Sequence, residues 1–568
     1  MEERVTSDTA VLQWVLLGAC AIGQVACGEG GRPEDGSASA PTLSSSPGTD
    51  GTGAGPGGSS SEAPTSSSTG EGSGGTSAPT TSGTPTDCTL TVDPPQVTIV
   101  IDNGVAAPAQ LQALCDGVPV KALWSADASF IASIDDEGLV TAGGQYGGKL
   151  SVSASYNFKQ ADAEIDVFLK VDLVPPEVTD VDKQALDGAG VPDPSAVLAY
   201  PYDGTVFPKG IQPPELMWNG STPGDKYLIR YSGQYVDAKI YTLAEPPSSH
   251  QVSKPLWVQI TESSSGLPLN LKINRLPAGQ PTATTVVDDT WTIASQPLIG
   301  SVYYWANSLG RVLRINPGAD APEDFLLQGG QNGCSTCHSA SADGTRLILG
   351  GDIDVSTWDL VNNTPVFTTT SVGKPIRNWA MAAVSPDGSV VIENGETQLP
   401  GPPGGGAGLW DAQTGVKLMG SGVDDLVMNM PAFSSNGKKI AYVDHGTLAL
   451  SVLDYDAVAR TASNPVKLVD PGGDPALNGI IFPSVSPDAK WVVYHRGAYP
   501  SMLDTRNGTA DLYLASIDQP GAEVRLRGAN GDDYPFVAGD RDRHWQFEPT
   551  FAPESSGGYH WVVFTSRR

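Results

Sequence analysis

Cations and charge in general are scarce in this chain. Only 33 of 568 residues are Lys or Arg, against 63 Asp plus Glu, and charged residues make up 17% of the whole. The formal net charge is -30 and no basic run occurs. Phosphate binding needs clustered cations, so nucleic acid is excluded as an expected partner. Long apolar stretches are missing as well. The longest, from Ala10 to Val25, is broken by Gln13, Gly18, Gly23 and Gln24, which is too short and too interrupted for a spanning helix. No heptad repeat or extended amphipathic period is present, so long paired helices are not expected. Cysteine and histidine number six each. What is abundant is turn chemistry: 66 Gly and 46 Pro predict short strands joined by many turns, an all-β chain. The length suggests roughly three or four domains.

The N-terminal 27 residues read as an export signal of the lipoprotein kind, although Glu2, Glu3, Arg4 and Asp8 do not make the usual positive start. Leu17-Gly18-Ala19-Cys20 resembles a lipobox, and Gln24-Val25-Ala26-Cys27 lies where apolar sequence gives way to linker. Lipidation at Cys27 removes Cys20 with the signal and leaves Cys88, Cys115, Cys334 and Cys337, an even number. The expectation is an exported protein held in the bacterial cell envelope by an N-terminal lipid, its only membrane contact, in a compartment that permits disulfides. Residues 28–87 follow as a Gly/Ser/Thr/Pro tether. Leu43 is the one large apolar residue between 36 and 87, so no core can form there. Such a chain places the folded part roughly 40 Å from its anchor.

From 88 to 174 apolar residues alternate with polar ones, as in Leu150, Val152 and Ala154 or Ile165, Val167, Leu169 and Val171, which predicts antiparallel strands with one buried face. The passages Leu123-Trp124-Ser125, Ile134-Asp135-Asp136-Glu137-Gly138-Leu139-Val140-Thr141-Ala142 and Gly147-Gly148 resemble bacterial Ig-like domains of group 2. Cys88 and Cys115 are expected to form a disulfide, with two buried thiols as the alternative. Residues 175–194 hold Pro175, Pro176, Pro192, Pro194 and five aspartates without an apolar period, and read as a linker. From 195 to 326 strands are expected at Tyr227–Tyr231, Lys239–Tyr241, Leu256–Ile260 and Gly300–Ala306, a pattern similar to a fibronectin type III-like sandwich. His250 is expected to be a solvated loop residue.

Residues 327–568 repeat a phrase at intervals of 44 to 52 residues: Ser341-Ala342-Asp343-Gly344, Ser385-Pro386-Asp387-Gly388, Ser434-Ser435-Asn436-Gly437 and Ser486-Pro487-Asp488-Ala489, with Ala552-Pro553-Glu554 as a degenerate fifth. A strand-like run follows each, and that period suits four strands per unit. The copies resemble the blades of TolB-like propellers, a fold that carries many unrelated activities. Five starts fall short of a six- or seven-bladed ring, so a ring truncated at this chain's end is expected.

Gly333-Cys334-Ser335-Thr336-Cys337-His338 carries the most specific chemistry. C-x-x-C-H is the attachment pattern of haem c: the two thiols add to the porphyrin vinyl groups and the histidine ligates the iron. With six Cys and six His in the chain, chance placement is on the order of one in a thousand. By register from the shared Ser, His338 opens the first strand of a blade. Cys337 then matches Met381 and Met430, either of which could complete a His/Met iron. The alternatives are a Cys334 to Cys337 disulfide with His338 as a spectator, or a metal held by His338 and distant partners, for which no second close cysteine pair exists. His445, His495, His544 and His560 are expected as surface or loop residues. No catalytic set is evident; Asp532-Asp533 and Asp540-Arg541-Asp542 are expected to be solvated. The reading is an envelope electron carrier or redox sensor with an unknown partner. The alternative is a non-catalytic scaffold for a protein or glycan.

Overall fold

Strand alternation written in the sequence becomes one continuous sheet in the first half of the molecule. The computed structural model describes residues 87–568, and the backbone of 11–14, apart from 197, 244–247, 307–310, 325–336, 351–355, 369–380, 395–405, 504–507, 533, 535–540 and 567–568. Gly148–Tyr156 and Lys159–Leu173 form an antiparallel hairpin. Asn157 and Phe158 turn it with φ of 47° and 64°, the left-handed pair that matches strand twist. Two small three-stranded sheets, one with Leu90–Asp93 and Gln112–Cys115 and the other with Ala132–Ile134 and Leu139–Ala142, face this hairpin. Leu90, Val92, Ala113 and Val140 bury themselves against Leu150, Val152, Ile165 and Val167. Cys88 and Cys115 are disulfide-bonded, as expected.

The two expected sandwiches share this sheet. After pairing with Gly148–Tyr156, the strand Lys159–Leu173 runs on and pairs in parallel with Val236–Leu243 through residues Leu169 to Leu173. Lys226–Gly233, Pro268–Leu276 and Thr284–Pro297 extend the sheet. One hydrophobic core runs through both halves.

Two stretches differ from expectation. Residues 175–194, read as a linker, contain the helix Asp180–Asp187. Thr179 and Asp182 form a reciprocal capping box there, which satisfies two N-terminal N–H groups. A linker reading missed it because only Val178 and Leu186 anchor the segment, against Leu228, Tyr241 and Leu276. Leu256–Ile260, read as a strand, lies in the helix Lys254–Ser263, with Pro255 in its first turn. Its buried residues are Leu256, Trp257, Ile260, Thr261 and Ser263, a spacing that one helical face presents. Trp257 seals the opposite face of the sheet by packing edge-on to Phe207 and Tyr231, ring centroids 5.5 and 6.1 Å away.

The second half consists of four antiparallel four-stranded sheets in sequence order, with first strands at Cys337–Ala340, Ala382–Val384, Met428–Phe433 and Gly479–Val485. Each first strand lies beside the first strand of the next sheet, the radial arrangement of propeller blades. The repeated phrase is the turn between first and second strands. In blade 1 Ser341 Oγ bonds Asp343 Oδ1 at 2.6 Å and accepts the Arg346 N–H at 2.9 Å. Ser385, Ser434 and Ser486 do the same in the others. Gly344, Gly388 and Gly437 take φ near 70° and Ala489 takes 59°. Pairs of strands flank the four blades: Val302–Ala306 with Arg311–Ile315 before them, and Gln546–Phe551 with Tyr559–Ser566 after. Val11–Trp14 runs parallel to Tyr559–Val562. The fold is all-β.

Candidate functional site: the inner rim of the blades

The inner strands begin alike. Met428–Phe433, Gly479–Val485 and Gln546–Phe551 each break register with the second strand, at 429/432, 481/484 and 547/550. Met430, Phe482 and Glu548 occupy the breaks with φ of 45°, 52° and 54°, and each precedes a proline, Pro431, Pro483 or Pro549. Proline cannot donate to the ladder, so a bulge forms where the N–H is missing and re-aims the residue beside it. Counting from the turn Ser, Cys337 and Met381 fill the same place in blades 1 and 2. The five equivalent rim positions are therefore Cys337, Met381, Met430, Phe482 and Glu548. Sequence reasoning found the first three and missed Phe482 and Glu548; the proline after each was the available signal.

Met381 and Met430 are half-buried. Cys337 opens the first strand of blade 1 and pairs with Gly350. Cys334, Cys20 and Cys27 lie outside the described residues, as does the side chain of Cys337. His338 is half-buried, and its Nε2 lies 3.0 Å from the Tyr303 carbonyl oxygen, so the imidazole spans the junction between blade 1 and the preceding hairpin. At that junction Val312 also packs on Leu347, Leu349 and Trp358.

His250, His495 and His560 depart from expectation, whereas His445 lies in a turn and His544 is exposed, as expected. His250 sits in the short strand Ser249–Gln251, and burial lowers its pKa. His495 is fully buried in the second strand of blade 4, and burial pushes its pKa down to about 3. Its Nδ1 accepts the Glu548 N–H at 3.1 Å, and its ring lies between Phe482 and Phe547 at 5.2 and 5.1 Å. It is a neutral support directly behind two rim positions. His560 is also buried. His445 Nδ1 lies 3.1 Å from Asn429 Nδ2. His544 keeps a half-exposed ring against Asp511 at 3.1 Å. The i to i+2 strand patterns of His495 and His560 do not reveal that a neighbouring blade covers the other face. Asp532 is ion-paired with Arg525 at 2.6 Å and Arg527 at 3.2 Å rather than simply solvated.

No group of three His, Cys, Asp or Glu suited to a metal ion exists among the described residues. A hollow of about 260 Å³ on the shared sheet is lined by Asp187, Arg230, Lys272 and Asn274. Its charges are already satisfied by Arg230 to Asp237 at 2.6 Å, Lys272 to Asp288 at 3.5 Å and Lys239 to Asp187 at 2.9 Å. No helix among the described residues is long and apolar enough to cross a membrane, which says nothing of a β-barrel.

No known protein family matches this sequence, and no curated protein does. Among solved structures, it is similar to hydrazine synthase of Kuenenia stuttgartiensis, with 15% identity and a TM-score of 0.28 over 40% of this chain. The chain spans 62% of that protein's length. It is also similar to a TolB-type protein of Agrobacterium tumefaciens, with 15% identity and a TM-score of 0.19, over 33% of this chain and 79% of the other.

Proposed function

We propose that this chain is an exported, envelope-tethered propeller protein whose inner rim carries a covalently attached haem c for electron transfer or redox sensing. The carrying observation is that Cys337, at the end of C-x-x-C, shares one rim position with Met381 and Met430. Methionine thioethers thus recur at the level of Cys337 in the next two blades, and such a sulfur suits haem iron as a second ligand beside histidine. Cys334 and Cys337 would hold the porphyrin, His338 would be one iron ligand, and Met381 or Met430 the other. When bound, haem supplies reversible one-electron chemistry at iron. His495, held neutral behind Phe482 and Glu548, adds no charge to that rim.

His338 favours a second reading. Its Nε2, the nitrogen that would face iron, lies against the Tyr303 carbonyl, so ligation requires the imidazole to leave that oxygen. If it stays, the chain is a non-catalytic binding scaffold, Cys334 and Cys337 close a local disulfide, and His338 joins hairpin to blade.

Expression with a c-type maturation system divides the two. The haem reading expects a reduced absorbance band that survives denaturation and is lost in Cys337→Ser. A protein without that band, with the mass of a Cys334 to Cys337 disulfide, overturns it. In a haem-loaded protein, Met381→Ala and Met430→Ala identify the thioether ligand by which one changes the spectrum.

A further inference from the structure

The degenerate fifth copy of the turn phrase holds a constellation that the rim does not use. Ser555 is exposed on the turn Pro553-Glu554-Ser555-Ser556. Its Oγ lies 2.8 Å from Nδ1 of His560, which is buried with 2% of its surface exposed. On the far side of the ring, His560 Nε2 lies 3.5 Å from Asp488 Oδ2. Asp488 is fixed by the blade 4 turn, where it accepts Ser486 Oγ at 2.6 Å and the Lys490 N–H at 3.1 Å. An exposed hydroxyl, a buried imidazole and a carboxylate thus stand in line across two blades. Phe551 packs against the ring with centroids 6.4 Å apart. Asp488, bearing on Nε2, favours the tautomer with its proton there, leaving the Nδ1 lone pair for the Ser555 proton.

We propose that Ser555 is a nucleophile activated by His560, with Asp488 as a positioning residue, and that the site cleaves small unhindered carboxylic esters. Ser555 Oγ bonds the acyl carbon while its proton passes to His560 Nδ1 and the carbonyl π pair moves onto oxygen. Collapse expels the alkoxide, which takes the proton from His560. Water then attacks the acyl-serine by the same base, releasing the acid and restoring the hydroxyl. Gly557 and Gly558, with φ of 63° and 87°, make the adjoining turn Ser556–Tyr559; a Cβ on Gly557 would meet Ala294 at 3.0 Å, whereas one on Gly558 would meet nothing within 4 Å. The exposed hydroxyl and the open side at Gly558 suit a small substrate. The proposal is independent of haem.

A fluorophosphonate probe on the folded full-length chain tests it. The expected result is a single adduct on Ser555, absent from Ser555→Ala and from denatured protein, with labelling slowed on the order of 100-fold in His560→Gln. No adduct on Ser555, or an equal rate in a folded His560→Gln, overturns the proposal. If His560→Gln does not fold, Asp488→Asn decides the matter: a folded variant that labels at the unsubstituted rate overturns the proposal.

Discussion

Asp225→Asn is the sharpest test of how the shared sheet is held. Asp225 is wholly buried and its neighbour Arg275 is partly buried, with 16% of its side chain exposed. The carboxylate accepts the Thr222 N–H at 2.9 Å, the Ala278 N–H at 3.0 Å, the Thr222 hydroxyl at 3.0 Å and Arg275 Nε at 2.7 Å. Burial alone would raise its pKa, but these donors outweigh burial and hold it below the ordinary range. Asparagine keeps the shape but offers one acceptor oxygen, and its NH2 must face a donor. It also leaves the Arg275 guanidinium without its counter-charge. Breaking one side of such a pair costs about 3 to 5 kcal/mol, most of a typical domain's margin. Urea unfolding followed by tryptophan fluorescence reads the loss, since Trp218 and Trp291 lie in the same core. A depressed carboxyl stabilises the fold above its unfolded pKa, near 4, and that contribution disappears as pH falls through the folded value. The gap between native and variant is therefore expected to narrow on acidification below about pH 4. A loss under about 1 kcal/mol at pH 7, or a gap that widens in acid, refutes the reasoning.

Asp289 gives the opposite sign. Burial first, then the charges of Asp203 and Asp288, raise it to about 6, so the folded state loses stability as pH rises from about 4 to about 6. Asp289→Asn is expected to leave stability at pH 4 unchanged and to raise it at pH 8 by about 1 to 2 kcal/mol, read as a pH-dependent rise in melting temperature. A Cβ on Gly497 would overlap the Thr509 carbonyl and Met502; Gly497→Ala should cost more than about 2 kcal/mol and loosen blade 4, measured by amide exchange in Trp491–Gly497. Cys115→Ser opens the loop that Cys88 closes, and a loss of about 3 kcal/mol is expected on chemical denaturation, matched by adding reductant to the native protein.

Local rules carried much of the architecture. Strict alternation from Leu150 to Val171 announced its hairpin, because a one-residue slip would reverse the buried face. The repeated Ser-x-Asp/Asn phrase located all four blades, because the Ser and Asp or Asn side chains make the turn by bonds within five residues. The disulfide between Cys88 and Cys115 was legible because the expectation of an oxidising compartment favours pairing of two nearby cysteines. The same rules failed where two periods fit one short stretch. Leu256–Ile260 shows apolar residues that suit either a strand or a helix, and only the aromatic seat made by Phe207, Tyr231 and Trp291 selects the helix.

Composition, turn chemistry and the C-x-x-C-H run were thus determined by sequence alone, since each depends on residues within a few positions of one another. Tertiary structure decided what no local pattern encodes. It joined the two sandwiches through the far end of Lys159–Leu173, buried His495 and His560 by laying one blade on the next, turned His338 toward Tyr303, and brought Asp488 to Ser555 across a blade boundary. Each of these depends on packing between segments distant in the chain, where burial and charge are set by whichever surface arrives to cover the residue.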